Sequence, residues 1–244
     1  MENQPLINVD QGTFTSLPVP LRSDLLSSQV FKIIADAIFQ GKIQPGQVLR
    51  ELPLSKTLGV SQATVREALN QLGQVGLVVR IPNQGTMVTQ LNGKELRDRL
   101  RIRLVLEELA AANAARSITE EDVTRLKELA RSIASAVAAN SDLELTQADQ
   151  EFHRYIWRIS RSPILFRTLD LVTTPIFAFV SILYRMASPT LHIESHEDIV
   201  AALRTGNPDV ARTAIRSHIE RPYGTILSAR ERDLEGSLPD LLRP

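Results

Sequence analysis

The chain has 244 residues with 28 basic and 28 acidic side chains, so its formal net charge is zero, and it contains no cysteine. The absence of cysteine excludes disulfide frameworks and thiolate metal sites. The length leaves room for a small domain and a helical one of about 140 residues, which is large enough to bury a core. No basic region precedes an apolar segment at the N-terminus, so we expect a cytoplasmic protein without a signal peptide.

Residues 1–27 carry three prolines with little periodicity, and we expect them to form a flexible arm. A helix is predicted over Val30–Phe39, where apolar residues recur at helical spacing. The turn at Gln44-Pro45-Gly46 then precedes Val48 and Leu49.

The stretch Leu58–Leu69 predicts the turn and second helix of a helix-turn-helix. Gly59 can adopt the left-handed conformation that ends a helix, Val60 can fill the gap between helices, and Ser61 can cap the next helix. The outward positions of that helix are polar or small and suit a DNA groove: Gln62, Ala63, Thr64, Arg66 and Asn70. An ordinary amphipathic surface helix has the same pattern, so this helix alone leaves the two interpretations open.

A wing is predicted after the helix, since two short β-rich runs, 77–81 and 86–89, flank a turn at 82–85. Between residues 28 and 90 six basic residues stand against three acidic ones, a local charge of +3 in a neutral chain. The excess is modest, but positive charge is what phosphates attract. We therefore predict a winged helix-turn-helix domain over 28–90.

The blocks 41–46, 58–61, 65–69, 76–78 and 82–86 resemble, in order and spacing, the GntR family of bacterial transcriptional regulators. The resemblance implies that the second helix enters the major groove of operator DNA and that Gly85 lets the wing backbone approach the minor groove or a phosphate. Arg66 matches an arginine that contacts a base or a phosphate, and Arg50 and Lys56 are further candidate contacts. The sequence departs from the family at Gln62, where Arg is frequent, and at Leu52, where a charged residue is frequent. Because Gln favours adenine and Arg guanine, we expect an altered operator and weaker affinity.

A linker is expected over 91–94, followed by an all-helical antiparallel bundle over 95–230 and a tail over 231–244. Helices are predicted from Leu96 to Arg116, after a capping box at Thr119 and Asp122, and after a second one at Ser141 and Glu144. Further helices are expected after Pro163, after Ser188-Pro189 and from Pro208, which suits a first helical turn.

The most apolar stretch, 164–183, contains Arg167, Asp170 and Pro175. Two charges are rare inside a membrane-spanning helix. We therefore predict the central helix of a bundle, bent at Pro175, and no membrane partner.

Asp149 and His153 are four residues apart, so they share one face of a helix and form a two-ligand edge. His196 and His218 lie on later helices. One carboxylate and three imidazoles suit Zn²⁺, Mn²⁺ or Ni²⁺. A lone helical histidine is usually structural, so spacing alone leaves the metal site undecided.

The segments Asp149–His153, Ser195–Ile199 and Ile215–Ile219 resemble the three metal-binding segments of the FCD effector domain, found in the FadR-like GntR subfamily. The resemblance implies a divalent metal, with Zn²⁺ the best fit, held by Asp149, His153, His196 and His218 under a pocket for a small carboxylate effector. Arg103 matches an arginine that clamps the carboxylate; the alternative is a surface salt bridge to Glu107. His192 has no counterpart and is interpreted as a solvated neighbour, and Trp157 as core packing near the site.

The sequence thus predicts a mostly α protein: a homodimeric transcriptional repressor that binds two half-sites and senses a small organic acid without catalysis. Two alternatives stay open. One is a metalloenzyme attached to a DNA-binding head, with Glu194 or Glu197 as general base. The other is a constitutive DNA-binding dimer without an effector.

Overall fold

The computed structural model describes residues 23–82, 85–186 and 196–228, and the side chains of 26–82, 85–182 and 196–224. The chain divides into two compact units, one ending at Gln90 and the other beginning at Leu91. The described part of the first unit contains six elements: α1 (Ser23–Phe39), β1 (Val48–Leu49), α2 (Glu51–Leu58), α3 (Gln62–Gln74), β2 (Val78–Ile81) and β3 (Gly85–Val88).

The three strands form one antiparallel sheet in the order β1-β3-β2. The predicted hairpin is β2 and β3, with Val78 opposite Val88. β1 is an addition to the prediction: Val48 pairs with Met87 and Leu49 with Thr86, which ties the wing to the start of α2. Asn83 and Gln84 of the predicted turn lie outside the described residues.

The helix-turn-helix has the predicted local geometry. Gly59 has φ +67°, and its N–H donates to the Ser55 carbonyl. Ser61 Oγ accepts a hydrogen bond of 3.1 Å from the Thr64 N–H, as expected of a cap. Val60 is only half-buried, whereas Leu54 and Leu58 of α2 and Val65 of α3 are buried.

The expected arm over 1–27 overlaps α1, which begins at Ser23. Residues 23–27 are therefore helical, and the prediction is wrong for them. Ser27 is buried on α1, one turn before the buried Val30. The buried side of the helix therefore begins earlier than the apolar residues of the sequence suggest. Residues 1–22 lie outside the described residues.

Every secondary-structure element described in the second unit is a helix. Its helices are α4 (Gly93–Ala115), α5 (Glu120–Ala138), α6 (Asp142–Ile159), α7 (Pro163–Met186), α8 (Glu197–Arg204) and α9 (Pro208–Ser228). α4 packs against α6, α7, α8 and α9, so α4 rather than the predicted α7 is the central helix. The small side chains of Ala110, Ala111 and Ala114 are fully buried and let its neighbours approach closely.

Helix caps in this unit agree with the sequence in one case and not in another. Thr119 and Asp122 form the predicted capping box. Ser141 precedes α6 but its side chain caps nothing, because its ψ of 92° differs from the 165° at Thr119. The expected linker over 91–94 is also wrong in part: Leu91 is buried, and Asn92 caps α4 through the Glu95 N–H.

Among the described residues, the segment Pro163–Ile182 of α7 is long and apolar enough to cross a membrane, and 67% of its apolar window is buried within the protein. Burial of that kind is typical of a core helix. Pro163 and Pro208 begin α7 and α9, as predicted. Residues 187–195, with the predicted Ser188-Pro189 start, and the tail after 228 lie outside the described residues.

Pro175 lies inside α7, where it has no N–H to donate to the Leu171 carbonyl one turn earlier. Arg99 of α4 supplies the missing donor, since its Nη1 lies 3.3 Å from the carbonyl oxygens of both Leu171 and Val172. Its Nε also donates to Glu95 at 3.1 Å. Arg99 therefore joins the first turns of α4 to the interruption in α7.

We expect Arg99→Ala to lower the free energy of unfolding by about 1 kcal/mol, because it leaves a helix carbonyl without a donor. The loss should shrink in a Pro175→Ala background, where the alanine N–H satisfies Leu171. Urea unfolding of the two single variants and the double variant measures this interaction. Glu95→Ala is the control, since it removes only the exposed partner; equal losses in both backgrounds would contradict the assignment.

Candidate DNA-binding surface and metal centre

Five side chains of α3 were predicted to face DNA, and the structure places them on the side of the helix away from the core. Gln62, Ala63, Arg66 and Asn70 are exposed. Thr64 is half-buried, and its hydroxyl lies 2.8 Å from Ser61 Oγ. The core side of the same helix carries Val65, Ala68, Leu69 and Leu72.

A groove of about 500 Å³ runs between the start of α2, the start of α3 and the wing. It is lined by three of the predicted DNA contacts, Arg50, Gln62 and Gly85. Sequence reasoning missed Arg80, an exposed β2 residue that lines the same groove opposite Thr86 of β3. Lys56 is exposed on α2 but does not line the groove.

Gly85 begins β3 with φ +107°, a conformation that side chains rarely adopt. A Cβ added there would meet only ordinary contacts, the nearest being the Leu49 carbonyl at 3.5 Å. The backbone angle rather than lack of space therefore requires glycine at this corner of the groove.

Arg66 is held by Glu51, the first residue of α2. Its Nε lies 3.0 Å from Glu51 Oε1, and its Nη2 lies 2.7 Å from Oε2. The hydrogen bond from Arg66 lowers the pKa of the Glu51 carboxyl. An exposed pair of this kind contributes about 0–1 kcal/mol to stability, so its main effect is to orient the guanidinium. This pairing could not be predicted from local spacing, because the two residues are 15 positions apart.

The four predicted metal ligands come together in the second unit. α6 carries Asp149 and His153, His196 directly precedes α8, and α9 carries His218. His196 Nε2 lies 2.7 Å from Asp149 Oδ1, and His153 Nε2 lies 3.6 Å from the same oxygen. One ligand atom from each residue lies within 4.8 Å of all the others, so the group could hold a metal ion.

The cluster lies among aromatic rings, with Asp149 and His218 half-buried. His153 and His196 are buried, and the Phe152 ring stands edge-on to His196 at 4.6 Å. Burial raises the pKa of Asp149, but the hydrogen bond with His196 and the nearby imidazoles outweigh it and hold that pKa well below its usual range. Burial also lowers the pKa of His218 to about 3.

A metal ion fits these residues on a further observation. Among the described residues, His218 Nδ1 is buried without a hydrogen-bond partner. A buried polar nitrogen without a partner is unfavourable by about 1–3 kcal/mol unless something binds it. Neutral imidazoles and one carboxylate are donors that suit borderline divalent metals.

Arg103 borders this cluster but is neither free in a pocket nor at the surface. It is 2% exposed, and its Nε donates to Glu107 Oε1 at 2.7 Å. Its Nη2 lies 3.4 Å from His153 Nε2, and its guanidinium stands 4.8 Å from the Phe177 ring centre. The predicted salt bridge to Glu107 therefore exists, but it is buried beside the metal ligands.

Comparison with known proteins assigns both units. Residues 26–88 match the family described as bacterial regulatory proteins, gntR family, and residues 98–221 match the FCD domain. The chain belongs to the GntR family. It is a DNA-binding transcriptional regulator with an FCD domain, as the sequence predicted, and the mostly helical fold with an N-terminal winged helix-turn-helix is confirmed.

Known proteins are similar to this GntR regulator, in sequence or in structure, along most of its length. It is 30% identical over 200 residues to a protein of Paenarthrobacter nicotinovorans named "Probable D-xylose utilization operon transcriptional repressor", covering 80% of this chain and 85% of that one. The solved structure of E. coli McbR/YncC has a TM-score of 0.71 at 25% identity, covering 82% and 96%. A GntR regulator from Rhodococcus sp. RHA1 has a TM-score of 0.64 at 26% identity, covering 84% and 99%.

Other residues that the sequence singled out lie apart from the cluster or outside the description. His192 and Glu194 are outside the described residues. Glu197 is exposed, which does not favour it as a general base within a closed site. Trp157 is fully buried and packs edge-on against Phe166, as expected of core packing.

We expect leucine substitutions at His218 and His153 to have opposite effects on the free energy of unfolding of the metal-free protein. His218→Leu should raise the free energy of unfolding by about 1 kcal/mol, because it removes an unpaired buried nitrogen. His153→Leu should lower it by about 1–3 kcal/mol, because His153 Nδ1 lies 2.6 Å from Glu107 Oε2. Urea unfolding in the presence of a chelator measures both. A destabilised His218→Leu variant would contradict the unpaired state of that ring.

Proposed function

We propose that this GntR regulator is a cytoplasmic homodimeric repressor that binds operator DNA through α3 and the wing and responds to a small organic acid. Its FCD domain holds a divalent metal, for which Zn²⁺ is the best fit and Ni²⁺ and Mn²⁺ the alternatives. The observation that carries the proposal is the group of Asp149 and three histidines beside Arg103, two of them buried, in a chain with a DNA-binding head. The repressor assignment is supported by the name of the relative from Paenarthrobacter nicotinovorans.

The DNA contacts are assigned to the exposed face of α3 and the adjoining groove. Arg66 and Gln62 contact bases, with Ala63, Thr64 and Asn70 beside them, because these types can donate to base edges or approach thymine methyl groups. Arg50, Lys56 and the wing at Gly85 contact the DNA backbone. Contacts of cations and peptide groups with phosphates position the protein on DNA but do not distinguish one base sequence from another. The Glu51 pair supports this assignment, since a guanidinium already oriented loses less entropy on binding.

Homodimer formation is supported by an apolar stripe on α4. Ile102, Val105 and Leu109 lie on one face of the helix and are 47%, 65% and 47% exposed. Large apolar side chains in one exposed row favour burial against a partner. A second copy is the occupant we propose, because two heads related by twofold symmetry match a palindromic operator.

The effector site is assigned to Arg103 and the metal ligands that it adjoins, since Arg103 Nη2 lies 3.4 Å from His153 Nε2. Arg103 offers a planar fork of donors that suits a carboxylate. Asp149, His153, His196 and His218 would hold the metal, which when bound supplies a Lewis acid that orients the same carboxylate. Catalysis is not part of the proposal: four protein ligands leave less room for a reactive water than the three of catalytic zinc sites.

The DNA assignment is tested by selecting binding sites from a random double-stranded library with the full-length protein. We expect a twofold-symmetric sequence, and Arg66→Ala should weaken binding to it by about 1–3 kcal/mol. Glu51→Gln should cause a smaller loss, because Arg66 keeps its charge but not its orientation. Arg125→Ala, in an exposed pair of the second unit, is the control.

Repeating the selection with Gln62→Arg tests the base assignment. One position in each half-site should change from adenine to guanine, because a carboxamide pairs with adenine and a guanidinium with guanine. Unchanged binding by Arg66→Ala would overturn the assignment of α3 as the recognition helix. An unchanged site with Gln62→Arg would remove only Gln62 from the base contacts.

The sensor is tested by titrating small mono- and dicarboxylates against the metal-loaded protein on its selected operator. We expect an acid that changes operator affinity by about 5–150-fold, the usual range of allosteric coupling. His196→Ala should lose bound metal and this response, whereas the adjacent exposed variant Glu197→Ala should keep both. Operator affinity that no acid changes would favour the constitutive dimer, and turnover of an acid would favour the metalloenzyme.

A further inference from the structure

A buried carboxylate, that of Glu107, contacts the candidate metal ligand His153 and has no role in the proposed site so far. Glu107 of α4 is fully buried, and its two oxygens have different partners. Oε1 accepts from Arg103 Nε at 2.7 Å, and Oε2 lies 2.6 Å from His153 Nδ1. One carboxylate thus connects the candidate effector arginine with a candidate metal ligand.

The contact with Oε2 determines which form of His153 is present. A carboxylate only accepts, so His153 Nδ1 must carry its hydrogen and donate it. In the neutral ring, which is the form that binds a metal, the lone pair is then on Nε2, the nitrogen that lies 3.6 Å from Asp149 Oδ1. A carboxylate behind a histidine in this way orients the ring and makes it a stronger ligand.

The contact with Oε1 has the opposite effect. Arg103 withdraws charge from the Glu107 carboxylate, and its own Nη2 lies 3.4 Å from His153 Nε2. A cation in that position repels a bound metal ion, and within a buried site the repulsion is weakly screened. Arg103 should therefore weaken metal binding, whereas Glu107 strengthens it.

We propose that Glu107 is the positioning residue that holds His153 as a metal ligand and couples the metal to Arg103. This inference rests on the proposed metal-dependent sensor and deepens it. An anionic group that engages Arg103 offsets its charge, so the metal binds more tightly. Reciprocity of binding free energies then requires that the metal strengthen binding of that anion by the same factor.

A simpler role for Glu107 would be to neutralise a buried arginine, and the two roles give different results in a set of variants. Glu107→Gln removes the charge from both partners. Arg103→Met removes the arginine and leaves Glu107 to His153 alone. Arg103→Met/Glu107→Gln removes the pair and leaves no uncompensated charge in the core, so it tests the site even where the single glutamine variant folds poorly.

The matched control is Glu108→Gln. Glu108 is the next residue of α4, and its carboxylate pairs with Arg216 of α9 rather than with a metal ligand. This variant changes the net charge by the same amount on the same helix.

The measurement is Zn²⁺ affinity of the full-length variants by competition with a chromophoric chelator, with the absorption spectrum of the Co²⁺-loaded protein as a second readout. We expect Glu107→Gln to bind Zn²⁺ about 10–100-fold more weakly and to alter the Co²⁺ spectrum. Arg103→Met should bind Zn²⁺ more tightly, the double variant more weakly than Arg103→Met, and Glu108→Gln like wild type.

The inference would be overturned if Glu107→Gln bound Zn²⁺ as tightly as wild type. It would also be overturned if the double variant bound Zn²⁺ as tightly as Arg103→Met. The second result would mean that Glu107 serves only to neutralise Arg103. A wild-type protein that binds no Zn²⁺ and no Co²⁺ would overturn the metal-dependent sensor itself.

Discussion

The FCD unit is arranged around two opposite charges buried one turn apart on its central helix, Arg103 and Glu107. An isolated charge in a protein interior is unfavourable by several kcal/mol, so each needs partners that stay in place. Arg103 finds Glu107 and the face of Phe177, and Glu107 finds Arg103 and His153. Burial raises the pKa of Glu107, yet these two partners lower it to about 2, so the carboxylate stays ionised. The surrounding helices therefore pack around a fixed polar centre as well as an apolar core.

The DNA-binding unit uses an arginine and a glutamate in another way. The Arg66–Glu51 pair is exposed, so water screens it and it adds little to stability. It orients a side chain on a rigid helix whose cap, turn and buried face are all specified locally. The same two residue types thus organise a core in one unit and a binding surface in the other, and burial decides which.

Local sequence signals predicted much of this molecule because their causes are local. Gly59 and Ser61 act within one turn of the chain, and Asp149 and His153 must share a helix face. The full ligand set, with His196 and His218, came from a family resemblance, because spacing cannot place residues of different helices together. Glu107 illustrates the limit: the sequence offered Arg103 as its partner, but its second partner is 46 positions away.

The sequence also failed where tertiary packing overrides a local rule. Ser141 has the residue type of a cap and the wrong backbone angle. α4 is central although its sequence is far less apolar than α7, because it buries alanines that bring other helices close and charges that compensate one another. The hydrophobicity of a helix therefore predicts how much of it is buried. It does not predict which helix lies at the centre of a bundle, because that depends on how closely neighbouring helices can approach.

The unpaired nitrogen of His218 connects this architecture to regulation. A folded state that leaves a buried nitrogen without a partner is less stable than one that satisfies it, and a ligand that binds only the folded state adds to its stability. The four candidate ligands come from α6, from the residue before α8 and from α9, so a metal bound by all of them would join three parts of the chain. α4 packs against the helices that carry these ligands, and it also carries Arg103 and Glu107. A change in the charge of the ligands would therefore alter the electrostatic environment of two buried charges on the central helix. A sensor of the proposed kind would need no large cavity, because one additional anion could alter the charge balance around Arg103 and Glu107.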